Sequence, residues 1–151
     1  MAISPETGLV YHEVHIGTVN MAIFNNFIYN LSMQLQDFRI TLIMDNATIH
    51  NQAQDSVETD DHVVQNLPAY SPMLNSIELA FSALKAPVKR ILNERMAEVL
   101  DRQLAAAAGL TLTAYRKNLL RCFLEDSLPT ITAEKCRGWY NHIPTVTCCQ
   151  L

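Results

Sequence analysis

Ile40-Thr41-Leu42-Ile43-Met44-Asp45-Asn46-Ala47 is an apolar run that ends in a carboxylate. Such a run suits a strand covered on both faces, as in a parallel α/β sheet. Upstream, Ile23, Phe24, Phe27, Ile28, Leu31 and Leu35 recur at three-to-four spacing, with Asn25, Asn26, Asn30 and Gln34 between them. That pattern predicts an amphipathic helix packed on a sheet, capped by Thr18 or Asn20. Earlier still, Ser4-Pro5-Glu6-Thr7-Gly8 reads as a turn. It feeds residues 9–15, rich in β-formers, as a strand or as the second half of a hairpin whose first half would precede Met1. Strand, helix and strand in that order predict a right-handed crossover.

Downstream, residues 52–61 are polar, with Asp55, Glu58, Asp60 and Asp61 clustered, and read as a short exposed helix with a solvated acidic face. Residues 63–67 read as a short strand that Pro68 ends. Leu67-Pro68-Ala69-Tyr70-Ser71-Pro72-Met73-Leu74-Asn75-Ser76-Ile77-Glu78 is a turn-rich segment that delivers a second carboxylate onto a new helix, capped by Asn75 or Ser76. Ile77, Phe81, Leu84, Val88 and Ile91 form its expected apolar stripe. Glu78, Ser82, Lys85 and Lys89 form a neighbouring polar one. Pro87 is expected to kink this helix or end it early.

Residues 96–108 are alanine-rich and read as one helix closed by Gly109. Thr113 is expected to open another, with Tyr115, Leu119, Cys122 and Phe123 inward. Thr132 is expected to cap a last one carrying Cys136, Trp139 and Tyr140, the two aromatics as core anchors. The residues after Ile143 read as a frayed tail.

The bulk numbers set limits. A length of 151 residues is that of one domain with a real core. Hydrophobic residues make up 49% and charged residues 17%, so the surface is short of charge and suited in part to a partner or a further segment. No apolar run reaches the ~20 residues of a membrane span, and no secretory signal is evident, which predicts a chain that is not secreted. The net charge of −4 leaves any nucleic-acid-binding surface local, because phosphate neutralisation dominates such affinity. No helix-turn-helix or zinc-finger spacing offers a reader of base sequence. Cys122, Cys136, Cys148 and Cys149 contain no Cys-x-x-Cys and read as free thiols in a reducing compartment. A zinc site from Cys136, His142, Cys148 and Cys149 fits no familiar spacing.

Two carboxylates, one at a strand end and one at a helix start, are how a fold holds divalent ions for phosphodiester chemistry. Two Mg²⁺ or Mn²⁺ ions ~4 Å apart clamp the attacking and leaving oxygens of an in-line displacement. Asp45 stands at the carboxyl end of its strand, where open α/β sheets place their sites. Glu78 stands in the first helical turn, where the dipole favours its ionised form. Their separation of 33 residues carries no geometric information by itself.

Met44-Asp45-Asn46-Ala47-Thr48-Ile49-His50, with the segment from Leu67 to Glu78 and its continuation Leu79-Ala80-Phe81-Ser82-Ala83-Leu84-Lys85, resembles the second and third catalytic blocks of mariner-like DDE transposases. The resemblance extends to Ile3-Ser4-Pro5-Glu6-Thr7-Gly8-Leu9-Val10-Tyr11, to Gly17-Thr18-Val19-Asn20, and to Ile131-Thr132-Ala133-Glu134-Lys135-Cys136-Arg137-Gly138-Trp139-Tyr140-Asn141-His142. It implies an α/β, RNase H-like catalytic domain over residues 1–143, with a helical C-terminal extension and a tail at 144–151. It implies DNA cleavage and strand transfer in transposition and DNA integration, with Mg²⁺ or Mn²⁺ as cofactor and DNA as partner. A homodimer or a transposase partner, and a nuclear or cytoplasmic location, follow in the same way.

By the same resemblance Asp45 and Glu78 are the catalytic, metal-binding acids, and Asn46 and His50 flank them. Lys85, Lys89, Arg90 and Arg95 are the candidate nucleic-acid contacts, against the reading of an ordinary solvated helix face. The family's first aspartate lies on a strand ahead of the segment matching Ile3, so these residues are expected to lack that strand and to be catalytically incomplete alone. The neighbours of that strand, residues 9–15 and 40–45, would then leave a gap or pair directly. Glu13 and Asp37 are the acids that could substitute, and two ligands alone hold a divalent ion weakly. Ala69 and Ser76 stand where the family has prolines, Pro87 breaks a helix the family continues, and the stretch between Asp45 and Glu78 is short. The alternative is a non-enzymatic nucleic-acid- or protein-interaction module derived from a transposase, using an exposed sheet edge.

Overall fold

The computed structural model describes residues 1–48, 62–69 and 71–142. The expected helix at 52–61, His50, Cys148, Cys149 and the tail after Ile143 lie outside these. The chain divides into two compact units, Met1–Ile16 with Ile77–Tyr140, and Gly17–Ser76 with the terminal residues.

The Gly17–Ser76 unit holds helix α1 (Met21–Gln34) and strands β3 (Ile40–Met44) and β4 (His62–Asn66). Asn20 caps α1 as expected, its side chain accepting from the Ile23 amide at 2.9 Å. β3 and β4 pair in parallel from Ile40 opposite His62 to Met44 opposite Asn66. Ile28 of α1 packs with Met44 and Val64, and Phe24, Phe27 and Leu42 fill in around them. The opposite sheet face carries Ile43 and Val63, which are 51% and 47% exposed. The expectation of cover on both faces is therefore corrected. Side chains alternate across a strand, and α1 takes only the face of Leu42 and Met44.

The other unit begins with β1 (Ala2–Ser4) and β2 (Gly8–Tyr11), an antiparallel hairpin turned through Pro5, Glu6 and Thr7. The hairpin's first half is thus Ala2–Ser4, not a segment ahead of Met1. Nor do residues 9–15 pair with β3, since β2 pairs with β1 and β3 with β4. The Ser4 hydroxyl donates to the Glu6 carboxylate, which holds that carboxyl below its usual range.

Helix α2 (Ile77–Glu94) continues past Pro87 without ending. Proline cannot donate to the Ala83 carbonyl, so one bond of the ladder is lost. The flanking turns keep theirs, and Ala80 and Leu84 are buried against Leu128, Ile131 and Cys136. Packing thus overrides the local breaker. Pro87→Ala is expected to stabilise the chain by about 2 kcal/mol, somewhat under the helix-interior penalty of ~3 kcal/mol because Pro87 is half-buried and its ring also packs. Urea midpoints check this, and no gain would mean the ladder loses nothing at Pro87. Of the expected stripe Leu84 is buried and Ile77 packs on the core, but Phe81 is exposed and Ala80 is buried in its place.

The alanine-rich stretch is two helices, α3 (Met96–Leu100) and α4 (Arg102–Ala107), rather than one. Asp101 lies between them and accepts from the Gln103 and Leu104 amides at 2.7 and 3.2 Å. An aspartate cap inside a helix-favouring run restarts it. Gly109, at φ +67°, closes α4 with the Leu110 amide donating to the Ala105 carbonyl and its own to that of Ala106.

Helix α5 (Leu112–Ser127) is capped by Thr111, not Thr113, and packs on α2, α3 and α4. Phe123 is fully buried, whereas Cys122 is exposed instead of inward. Thr132 precedes α6 (Ala133–Asn141), and its hydroxyl accepts from the Lys135 amide at 3.4 Å. Trp139 packs on the core, but Tyr140 is 53% exposed and anchors nothing. Burial pushes the Cys136 thiol up, so it stays protonated at neutral pH.

Candidate metal centre

The register of β3 and β4 decides where the two motif segments leave the sheet. Because the strands are parallel, Met44 and Asn66 end side by side. The Leu67 amide then donates to the Met44 carbonyl at 2.7 Å, carrying the pairing one step further. Asp45 and the start of the Leu67–Glu78 segment therefore emerge at the same carboxyl edge. That is where parallel sheets expose backbone ends and build sites. Asp45 is half-buried with its Oδ1 shielded from solvent, and Asn46 beside it is exposed.

The segment from Leu67 makes a 3₁₀ turn at Pro72–Leu74, closed by the Leu74 amide on the Ser71 carbonyl, before α2 begins. Glu78 is the second residue of α2 and is exposed. Asp45 belongs to one unit and Glu78 to the other.

The donor set fits a hard cation. Both groups are carboxylates, the ligands that magnesium and manganese select over nitrogen or sulfur. Among the described residues, no cluster of three or more acids, histidines or cysteines is gathered for a metal. The substitutes are poorly placed. Glu13 accepts from the Tyr11 hydroxyl at 2.6 Å, with His15 at 3.7 Å, so its oxygens are already engaged. Asp37 precedes β3 and so lies toward the strand's opposite end from Asp45.

The four candidate nucleic-acid cations separate. Lys85 and Lys89 are exposed on α2 and make no ion pair among the described residues. Arg90 lies 3.9 Å from Glu94, both exposed. Arg95 is committed to the fold. It donates twice to Glu98 at 2.7 Å, and its guanidinium sits 5.0 Å above the Phe123 ring. The hydrogen bonds to Glu98 push its pKa up further. Burial and then Glu98 push the neighbouring Tyr115 phenol up. One polar group escaped the sequence reading: Asn25 of α1 carries a buried Oδ1 with no hydrogen-bond partner among the described residues. As one of several asparagines on that helix, it gave no signal of its own.

Residues 1–101 match the family described as DDE superfamily endonuclease. The chain belongs to that family. No curated protein and no solved structure matches it. The matched span holds both Asp45 and Glu78 and ends at Asp101, so α4, α5 and α6 lie outside it. As a DDE superfamily endonuclease domain the chain is of a transposase-related nuclease type, whose substrate is DNA and whose members generally use divalent metals. Its mixture of helices and small sheets fits an α/β domain of that type. No helix among the described residues is long and apolar enough to cross a membrane.

Proposed function

We propose that this chain carries the second and third acids of a mariner-like, RNase H-like DDE endonuclease, with Asp45 and Glu78 binding Mg²⁺ or Mn²⁺ for DNA cleavage and strand transfer. The family match over residues 1–101 carries the reading, because it spans both carboxylates. Each acid also stands where its charge is useful: Asp45 at the carboxyl edge of a parallel strand pair, Glu78 at a helix start.

When bound, the cations polarise the phosphodiester and stabilise the charge on its attacking and leaving oxygens. Asp45 directly follows β3, whose last residue is Met44. Asn46 and His50 correspond to positions of the family motif that flank the site. A match to the family's first aspartate is not among these 151 residues, and neither Glu13 nor Asp37 suits its place. Two carboxylates bind a divalent ion weakly, so these residues alone are read as catalytically incomplete. DNA is the partner, joined weakly, with a second copy or a transposase chain in the working assembly. The working compartment is nuclear or cytoplasmic.

Two measurements test this. Mn²⁺ binding, followed by water-proton relaxation, is expected to be weak and to be lost in both Asp45→Asn and Glu78→Gln. Binding that survives either change removes that residue from the centre. Supercoiled plasmid with Mn²⁺ is expected to stay un-nicked by residues 1–151. Nicking that disappears in Glu78→Ala would overturn the incomplete-site part of the reading.

A further inference from the structure

We infer that α2 is the DNA-gripping rail of this domain, with Lys85 and Lys89 holding successive backbone phosphates of the strand whose reacting phosphate lies at Glu78. This rests on the proposed role of Glu78 and adds the register of the substrate to it.

The observation is the placement of charge along one exposed helix face. At 100° per residue, Glu78, Lys85 and Lys89 fall within an arc of about 40°. All three are exposed, as is Ser82 between them. The opposite side of the helix is taken up by Ala80 and Leu84 in the core, so this face is the one left for a ligand. At 1.5 Å per residue, Lys85 stands about 10 Å along the axis from Glu78, and Lys89 about 6 Å beyond it. A helix face with an acid at its start and two uncommitted ammonium groups further along suits a polyanion in one direction only. The phosphate at Glu78 needs a cation between them, and the phosphates past it meet lysine directly.

The other basic residues do not share this geometry. Arg90 is turned about 100° from Lys89 and faces Glu94. Arg95 is held by Glu98 and the Phe123 ring. Four of the chain's 11 Lys and Arg residues fall between 85 and 95, and only two of those four are free to bind along the Glu78 face.

The test is binding of a labelled 30-base-pair duplex to the full chain in EDTA, by fluorescence anisotropy over a series of KCl concentrations. Each phosphate contact contributes about 0.9 to the slope of log affinity against log salt. The Lys85→Gln/Lys89→Gln variant is expected to flatten that slope by about 1.8 relative to the parent. Arg90→Gln is expected to leave it unchanged. Glu78→Gln, which removes a negative charge, is expected to retain the parent slope. An unchanged slope in the double lysine variant overturns the inference, and so does equal flattening by Arg90→Gln or the absence of salt-dependent binding by the parent. Because metal is excluded, the two readings fail separately. Loss of the Mn²⁺ result with these slopes intact removes the metal centre and leaves the grip.

Discussion

Gly8→Ala is expected to lower the stability of the hairpin-bearing unit by about 3 kcal/mol or more. Two costs combine at this position. Its φ is +83°, in the left-handed region, where a side chain costs roughly 1–2 kcal/mol. A Cβ there would also stand 2.7 Å from the Ala133 amide nitrogen and 2.9 Å from the Ile131 carbonyl oxygen. These are backbone atoms at the start of α6 and cannot rotate aside, so the hairpin must back away, at an overpacking cost of about 1–3 kcal/mol. Backing away would also stretch the bond from the Leu9 amide to the Ile131 carbonyl, already 3.3 Å. Gly109→Ala is the control. It has φ +67° but no described residue within 4 Å of its absent side chain, so the backbone cost of about 1 kcal/mol applies. Urea denaturation of both variants measures the difference, and equal losses would show that the close approach at Gly8 carries no weight. Cys136, buried in the core this contact closes, gives a second readout: its alkylation should quicken in Gly8→Ala and not in Gly109→Ala.

The sequence was readable where a local signal and the tertiary demand agreed. Asn20 before an amphipathic stripe predicts α1 and its cap, and the apolar run at 40–44 predicts β3. It was misleading where packing decided. Pro87 is a local breaker, but losing one bond does not outweigh the burial of Ala80 and Leu84 on the same helix. Ala2-Ile3-Ser4 is too short to show alternation, so the partner of β2 was sought outside the chain. Asp101 was hidden in an alanine-rich run, although an aspartate two or three residues ahead of free amides is a cap wherever it falls. Cys122 and Phe123 are adjacent and both apolar, and only the helix phase set by Ser127 and Phe123 separates the buried one from the exposed one. For the site, the positions of Asp45 and Glu78 on their own elements were legible from strand and helix signals. That they would share a metal was not, since a separation of 33 residues has no period, and that proposal rests on motif resemblance.

Phe123→Ala is expected to cost about 3–5 kcal/mol, the range for deleting a fully buried phenylalanine. Its consequence should reach beyond its own contacts. α3 and α4 are 5 and 6 residues long, too short to persist without packing. Both rest on α5, which carries Phe123. Arg95 covers the ring from above while bound to Glu98, and the Arg116 Nε reaches the Val99 carbonyl at 3.0 Å. Removing the ring takes away the floor on which these bonds are organised. Limited proteolysis should therefore cut first between 95 and 110, and circular dichroism should lose the helical signal of those segments before that of α2. Phe123→Leu, which keeps most of the volume, should lose far less. Cleavage at 95–110 no faster than in the parent would mean that α3 and α4 stand without α5. Glu78 depends on the same packing. It lies within the matched endonuclease span, but the helix that presents it packs on α5, outside that span. Shortening the chain to residues 1–101 should then weaken α2 itself, and with it the face carrying Glu78, Lys85 and Lys89.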